Sequence, residues 1–189
     1  MNYNTTPGKK CFLCGIIFYA GGSVCPKCEE LNREQETRDM LQIRALINKH
    51  QADLAALAEE SGIELKAVKW YIYRRRAEAR AGASAERGSS GIALSDRMYG
   101  EIIWVKVEGN IDTPNSELLK EHLNNLIEMG FSNIILDMNA VTFFCSNGIR
   151  VVLSTYKALH PQGSFQILDP SPKVVNVMGQ VNLNSMILI

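Results

Sequence analysis

Four of the five cysteines fall within the first 28 residues, as Cys11-Phe-Leu-Cys14 and Cys25-Pro-Lys-Cys28, two C-x-x-C pairs ten residues apart. Two residues between thiolates let a tight turn aim both sulfurs at one ion, and two such turns complete the tetrahedral shell that zinc prefers. The spacing therefore predicts one structural Zn2+ on Cys11, Cys14, Cys25 and Cys28. Four thiolates leave no open position for water or substrate, so the ion is expected to hold the fold and do no chemistry. Two disulfides would suit an exported chain, but Met1 to Lys10 is polar and does not read as a secretory signal. A redox pair would need one C-x-x-C after the strand of a βαβ unit. The histidines, His50, His122 and His160, are scattered without triad or H-E-x-x-H spacing, and no glycine-rich phosphate loop occurs. His122 is expected simply to pack. These absences predict a non-enzyme with no small-molecule substrate.

The elements that must position the cysteines carry matching punctuation, with Gly15 after the first pair, Pro26 inside the second and Gly21-Gly22 between them. With Ile16, Ile17, Phe18 and Tyr19 as a first strand, residues 9–30 resemble a zinc ribbon of the rubredoxin-knuckle type. Residues 31–80 read as helical. Leu31, Met40, Leu41 and Ile47 fit a helix from Glu29 to Lys49. Leu54, Leu57 and Ala58 then form a short amphipathic face that Gly62 should close in a left-handed cap, and Ile63, Val68 and Ile72 resume it. Ala58, Gly62, the aliphatic Ile63 and Val68 stand at the spacing of the DNA-binding helix-turn-helix motif, which the stretch resembles, with its second helix from Glu64 to about Arg80. Along that helix Lys66, Lys69, Arg74, Arg75, Arg76 and Arg80 face one acid, Glu78, a balance suited to phosphates. DNA contact is one use of such a helix and protein docking another. Trp70, Tyr71 and Tyr73 either stack on bases or pack. The layout of ribbon and helices also resembles small regulatory proteins of flagellar operons in bacteria.

Residues 81–97, rich in Ala, Gly and Ser, read as a flexible linker. Beyond it Glu101 to Glu108 is a strand with Ile103, Val105 and Val107 on one face. A turn from Gly109 to Asn115 leads into a helix from Ser116 to Met129, whose stripe is Leu118, Leu119, His122, Leu123, Leu126 and Ile127. Asn133 to Asp137 is a strand buried on both faces, followed by a loop from Met138 to Ser146 and a helix from Asn147 to about His160. Ser164 to Leu168 adds a strand, and Ser171-Pro172 opens another helix. The alternation predicts a small α/β layer large enough for its own core.

Gly109-x-x-Asp112, Asn133-Ile-Ile-Leu-Asp137 with Val141, Phe143, Ser146, Gly148 and Ile149, and Asp169-Pro-Ser-Pro172 with Val174 together resemble the STAS domain (sulfate transporter and anti-sigma factor antagonist) over residues 98–189. The resemblance implies a small sheet flanked by helices that binds a protein partner, often an anti-sigma factor with kinase activity, and is switched by phosphorylation at the start of the helix after the second internal loop. Where such antagonists read Asp-Ser-Ser-Gly or Asp-Ser-Thr-Gly, this chain reads Cys145-Ser146-Asn147-Gly148. Asparagine cannot accept phosphate, although it could keep a polar cap on the helix. Cys145 removes the acidic neighbour, and Arg150 adds bulk and charge where a small residue is common. Ser146 is left either as an acceptor or as a plain helix cap, with capping favoured. Cys145, Ser146, Asn147, Gly148 and Arg150, with Asp112 and Asp137, are thus the candidate partner-facing residues.

Composition agrees with a folded chain. The 189 residues are 46% hydrophobic, carry 20 basic and 20 acidic side chains, and contain no apolar run long enough to cross a bilayer. The balance hides a polarity, because residues 1–91 hold 14 basic and 11 acidic residues and residues 92–189 hold 6 and 9. The expectation is a cytoplasmic bacterial adaptor, its α/β half on a protein such as an anti-sigma factor and its zinc ribbon and helices on DNA or a regulatory assembly, with a phospho-switched antagonist using Ser146 or a structural protein-protein module of a larger complex as the alternatives.

Overall fold

The computed structural model describes residues 8–19, 23–47, 49–50, 53–84, 91–181 and 183–188, with backbone alone for 77–84. The chain forms two compact units, Met1–Val68 and Lys69–Ile189. The expected Gly21-Gly22 turn and the middle of the expected linker, 85–90, lie outside the described residues.

In the first unit, β1 (Lys9–Lys10) and β2 (Ile17–Phe18) pair antiparallel, shorter than the strand expected over 16–19. Helix α1 (Pro26–Leu46) starts earlier than expected, because Cys25 takes an extended N-cap conformation and Pro26 supplies the first-turn φ. Helix α2 (Leu54–Ser61) is capped by Asp53, whose carboxylate accepts from the amides of Ala55 and Ala56 at 3.1 and 3.2 Å. Gly62 ends it with φ +68°, the left-handed turn a glycine enters without steric cost. Helix α3 (Leu65–Ser84) follows, beginning in the first unit and clustering with the second from Lys69 onward.

The second unit is built on a five-stranded sheet of order β3-β4-β5-β6-β7. Strand β3 (Ala93–Tyr99) runs antiparallel to β4 (Ile102–Ile111), turning at Gly100 with φ +59°. Residues 93–97, read from sequence as linker, are therefore strand. Their exposure alternates as on a half-buried edge, and it is pairing with β4 that makes them regular. Helix α4 (Thr113–Met129) returns the chain to β5 (Asn133–Phe144), parallel to β4. The sequence suggested a turn over 109–115 and a loop over 138–146. Instead β4 runs on to Ile111 and β5 to Phe144, each supplying the other's backbone partners across two register shifts. Helix α5 (Ser146–Leu159), β6 (Ser164–Leu168) and α6 (Pro172–Gln180) continue the alternation, and a 3-10 turn, Asn184–Met186, leads into β7 (Ile187–Leu188) beside β6.

The core of this unit joins Ile103, Val105, Val107, Ile134, Leu136 and Ile167 of the sheet to Leu119, Leu123 and Leu126 of α4, Val152 of α5 and Met178 of α6, all fully buried. Leu118, expected on the inner stripe of α4, is half exposed. No helix among the described residues is long and apolar enough to cross a membrane.

Candidate functional site

The ends of β1 and β2 and the start of α1 bring four sulfurs to one point. The Sγ atoms of Cys11, Cys14, Cys25 and Cys28 all lie within 4.8 Å of one another, with Cys14 and Cys25 at 3.7 Å. Cys11 is fixed by its amide N–H, which donates to Ile16 O at 2.8 Å, and Gly15, at φ +73°, closes the turn with its amide donating to Cys11 O at 2.9 Å. The amide of Cys25 donates to Cys11 Sγ at 3.2 Å. Cys25 and Cys28 occupy the N-cap and first turn of α1, where the helix dipole favours negative charge. Burial disfavours the Cys11 thiolate, but the amides of Cys14, Cys25 and Leu13 outweigh it and bring the thiol down to about 6. The same crowding pushes Cys28 up to about 12, through its contacts with the Cys14 and Cys25 sulfurs and then burial. Thiols that resist ionising together are what a bound cation reconciles, and this cluster can hold a metal ion.

At the far end of the sheet β4, β5, α4 and α5 meet. The Cys145 amide donates to Ile111 O at 2.9 Å, tying the end of β5 to the end of β4. Asp112 caps α4, accepting from the Asn115 amide at 3.0 Å, while the Asn115 side chain donates to Asn110 O at 2.8 Å. Ser116 is fully buried, donates to Asp112 O at 2.5 Å and sits 3.4 Å from Cys145 Sγ. The hydroxyl of Thr142 donates to Asn110 Oδ1. Ser116, Asn110 and Thr142 were not singled out from sequence, since their roles depend on contacts that span up to 32 positions.

The N-cap of α5 is Cys145, in an extended conformation and without a side-chain capping bond. Neither Ser146 nor Asn147 caps the helix as expected, because the helical turn begins one residue earlier. Ser146 is its first residue and is exposed. Asn147 is half-buried and accepts through Oδ1 from Arg150 Nη1 at 3.4 Å, leaving the Arg150 side chain exposed. Cys145 is half-buried, and burial works against its thiolate, but the Ser116 hydroxyl and the amides of Gly148 and Asn147 prevail and lower it below the ordinary thiol value. Gly148 is required by packing, since a Cβ there would come within 2.6 Å of the Phe144 ring and 2.8 Å of Ile111 Cγ2. Phe143, 52% exposed, flanks this loop.

Asp137 lies apart from this cluster. It is buried mid-strand, accepts from Trp104 Nε1 at 3.3 Å and the Asn139 amide at 3.1 Å, and does not face solvent. Burial raises its carboxyl above the ordinary value, the Asp169 charge adds to the rise, and these bonds only partly offset it.

Along α3, Ala67, Val68, Trp70 and Tyr71 are buried. Lys66 pairs with Glu64 at 3.1 Å, the Arg74 guanidinium lies 5.3 Å from the Trp70 ring centre, Lys69 is half-buried, and Arg75 and Arg76 are exposed. His122, expected to pack on an apolar stripe, instead bridges two polar partners, Asp96 Oδ1 at 2.7 Å and the Tyr73 hydroxyl at 3.2 Å.

Comparison with known proteins places the second half of the chain. The family model described as STAS domain matches residues 94–189. Among solved structures the chain is similar to the anti-sigma factor antagonist SpoIIAA in its unphosphorylated form, with 23% identity over 51% of this chain and 86% of that one and a TM-score of 0.47. It is also similar to the phosphorylated form of SpoIIAA from Bacillus, at 23% identity over 51% and 89% and a TM-score of 0.45. An anti-sigma factor antagonist from Mycobacterium paratuberculosis matches at 20% identity over 51% and 82%, with a TM-score of 0.48.

Proposed function

The chain belongs to the STAS domain family, and from that premise we propose that it is a non-enzymatic regulatory adaptor of bacteria whose loop from Cys145 to Arg150 binds a protein partner of the anti-sigma factor class. The observation that carries this reading is the division of labour at the head of α5. Gly148 and Cys145 are locked to Phe144, Ile111 and Ser116, while Ser146, Arg150 and Phe143 stand in solvent on that rigid base. A fixed backbone presenting an aromatic and an arginine has the makeup of an interface centre. With Asn147 at the usual acceptor position, binding is constitutive. Ser146 is exposed at the dipole end of α5 and offers an alternative in which phosphate there switches the partner off.

The zinc reading of the cysteines rests on size. Zn–S bonds of about 2.3 Å in a tetrahedron demand sulfurs about 3.8 Å apart, close to the Cys14–Cys25 separation of 3.7 Å. The turn at Gly62 and the exposed Arg75 and Arg76 support α2 and α3 as a helix-turn-helix that meets DNA phosphates in the cytoplasm.

The test is co-purification of the full chain and its Arg150→Glu variant from native lysate, with an Asn147→Ser chain beside them and ATP present. An anti-sigma factor that the wild type retains and Arg150→Glu loses supports the reading. Phosphate on the Asn147→Ser chain alone shows a switch disabled by the amide, and phosphate on wild-type Ser146 selects the alternative. A partner set unchanged by Arg150→Glu removes the loop from the interface.

A further inference from the structure

The bridge at His122 lies within the second unit and joins three of its elements. Asp96 belongs to β3, His122 to α4 and Tyr73 to α3. One imidazole tautomer satisfies every group, its Nε2–H donating to Asp96 Oδ1 at 2.7 Å and its Nδ1 accepting from the Tyr73 hydroxyl at 3.2 Å. The side chains of His122 and Asp96 are 12% and 6% exposed, so water competes little for these bonds. The Tyr73 and His122 rings lie 6.0 Å apart.

What matters is which side of α3 this bridge takes. Residues three, four and seven apart share a helix face, so Lys69, Tyr73 and Arg76 form one stripe. The buried residues Ala67, Val68, Trp70 and Tyr71 lie on the other side. The stripe that packing leaves available is the one a groove-binding helix must present, and Tyr73 in its middle is held on α4. That helix carries Glu117, Glu121 and Glu128 on its surface with Lys120, which pairs with Glu117 at 3.2 Å, a face that stays net acidic and disfavours phosphate. Among the clusters outside the proposed partner loop and the metal centre, this one connects the basic helix to the α/β fold by specific bonds.

We infer that Tyr73, His122 and Asp96 form an autoinhibitory latch, which holds the middle of this stripe on the α/β fold while Arg76 stays exposed, and must open before the stripe as a whole can enter a DNA groove. The inference rests on α3 being a DNA-facing helix. A latch closed in about 90–99% of molecules weakens apparent affinity about 10–100-fold, because only the open fraction is competent.

The test compares full-length wild type with Tyr73→Phe, His122→Leu and Asp96→Asn, all metal-loaded, in two independent measurements. Amide hydrogen exchange over residues 69–84 reads the latch, and fluorescence anisotropy on a random-sequence DNA duplex at several salt concentrations reads binding. Retention of the wild-type thermal transition selects variants whose fold is intact, and Tyr73→Phe, which deletes one hydroxyl, is the mildest. Faster exchange together with at least about tenfold tighter, salt-sensitive binding supports the latch. Exchange that stays at the wild-type rate in all three variants overturns it. Faster exchange with DNA affinity unchanged also overturns it and leaves the DNA-facing reading standing. If the released variants bind no DNA, both the inhibition and the DNA-facing reading fall. An Arg75→Glu, Arg76→Glu pair added to a released variant must abolish the gain, or the gain does not come from α3.

Discussion

Around its cysteines the first unit buries Cys11, Phe18, Val24 and Cys25 and leaves Ile16, Ile17 and Tyr19 60–75% exposed, whereas the second buries whole rows of Ile, Leu and Val between sheet and helices. The strands tell the same story. β1 and β2 are two residues each, while β4 and β5 run for 10 and 12. A hairpin of that size cannot bury enough apolar area to offset the entropy of ordering it, so under the proposed metal reading an ion on the four sulfurs supplies the missing stability. The α/β unit has area to spare and tolerates polar residues such as Asn115 and Ser116 buried at the end of its sheet. The two regions thus depend on different forces, and each should fail under conditions that leave the other standing.

The largest effect expected is from stripping metal. Structural zinc supplies about 10–16 kcal/mol in comparable small modules, so chelation should release amide protection over residues 8–28 while β3 to β6 keep theirs. Hydrogen exchange with and without chelator checks this, and protection that survives in the hairpin breaks the contrast. In the reverse direction, Leu123→Ala empties a fully buried site on α4 and should cost the second unit about 2–5 kcal/mol in urea titration without altering metal content. Gly148→Ala should cost about 1–3 kcal/mol, since the new methyl must displace the Phe144 ring and Ile111, and it should weaken partner binding by moving the head of α5.

The smallest effect belongs to Asp137. Its folded-state carboxyl is raised above the ordinary 3.8, so the native state holds that proton more tightly than the unfolded chain does. Its ionisation therefore removes stability as pH climbs through the raised value. Asp137→Asn should match wild type in acid below 3.8 and gain on it as pH rises toward neutrality, in denaturant titrations run at a series of pH values. A constant difference would show that the substitution acts through the Trp104 bond alone.

Reading the chain in one dimension worked where a short spacing carries the physics. Two C-x-x-C pairs imply convergence of four sulfurs, which the structure shows. Gly62 announces a left-handed turn, and the alternation of apolar runs announces layers of helix and sheet. It fell short wherever a residue's role is set by a partner far along the chain. Residues 93–97 look like linker because their alternation is weak and polar, and only β4 makes them strand. Residues 138–144 look like loop, and only their pairing with β4, across two register shifts, makes them strand. His122 sits at an apolar helical spacing, yet Asp96 and Tyr73, 26 and 49 positions away, claim both its nitrogens.

By itself, then, the sequence determined the convergence of four cysteines that can hold a metal ion, the α/β class of the second half and an amide side chain at Asn147, since each is written in residue type or in spacing of a few positions. The tertiary structure decided that Cys145 heads α5, that Gly148 is demanded by Phe144 and Ile111, and that α3 is tied down through Tyr73. Those facts depend on distance in space, and local preference carries no information about which distant side chain will arrive.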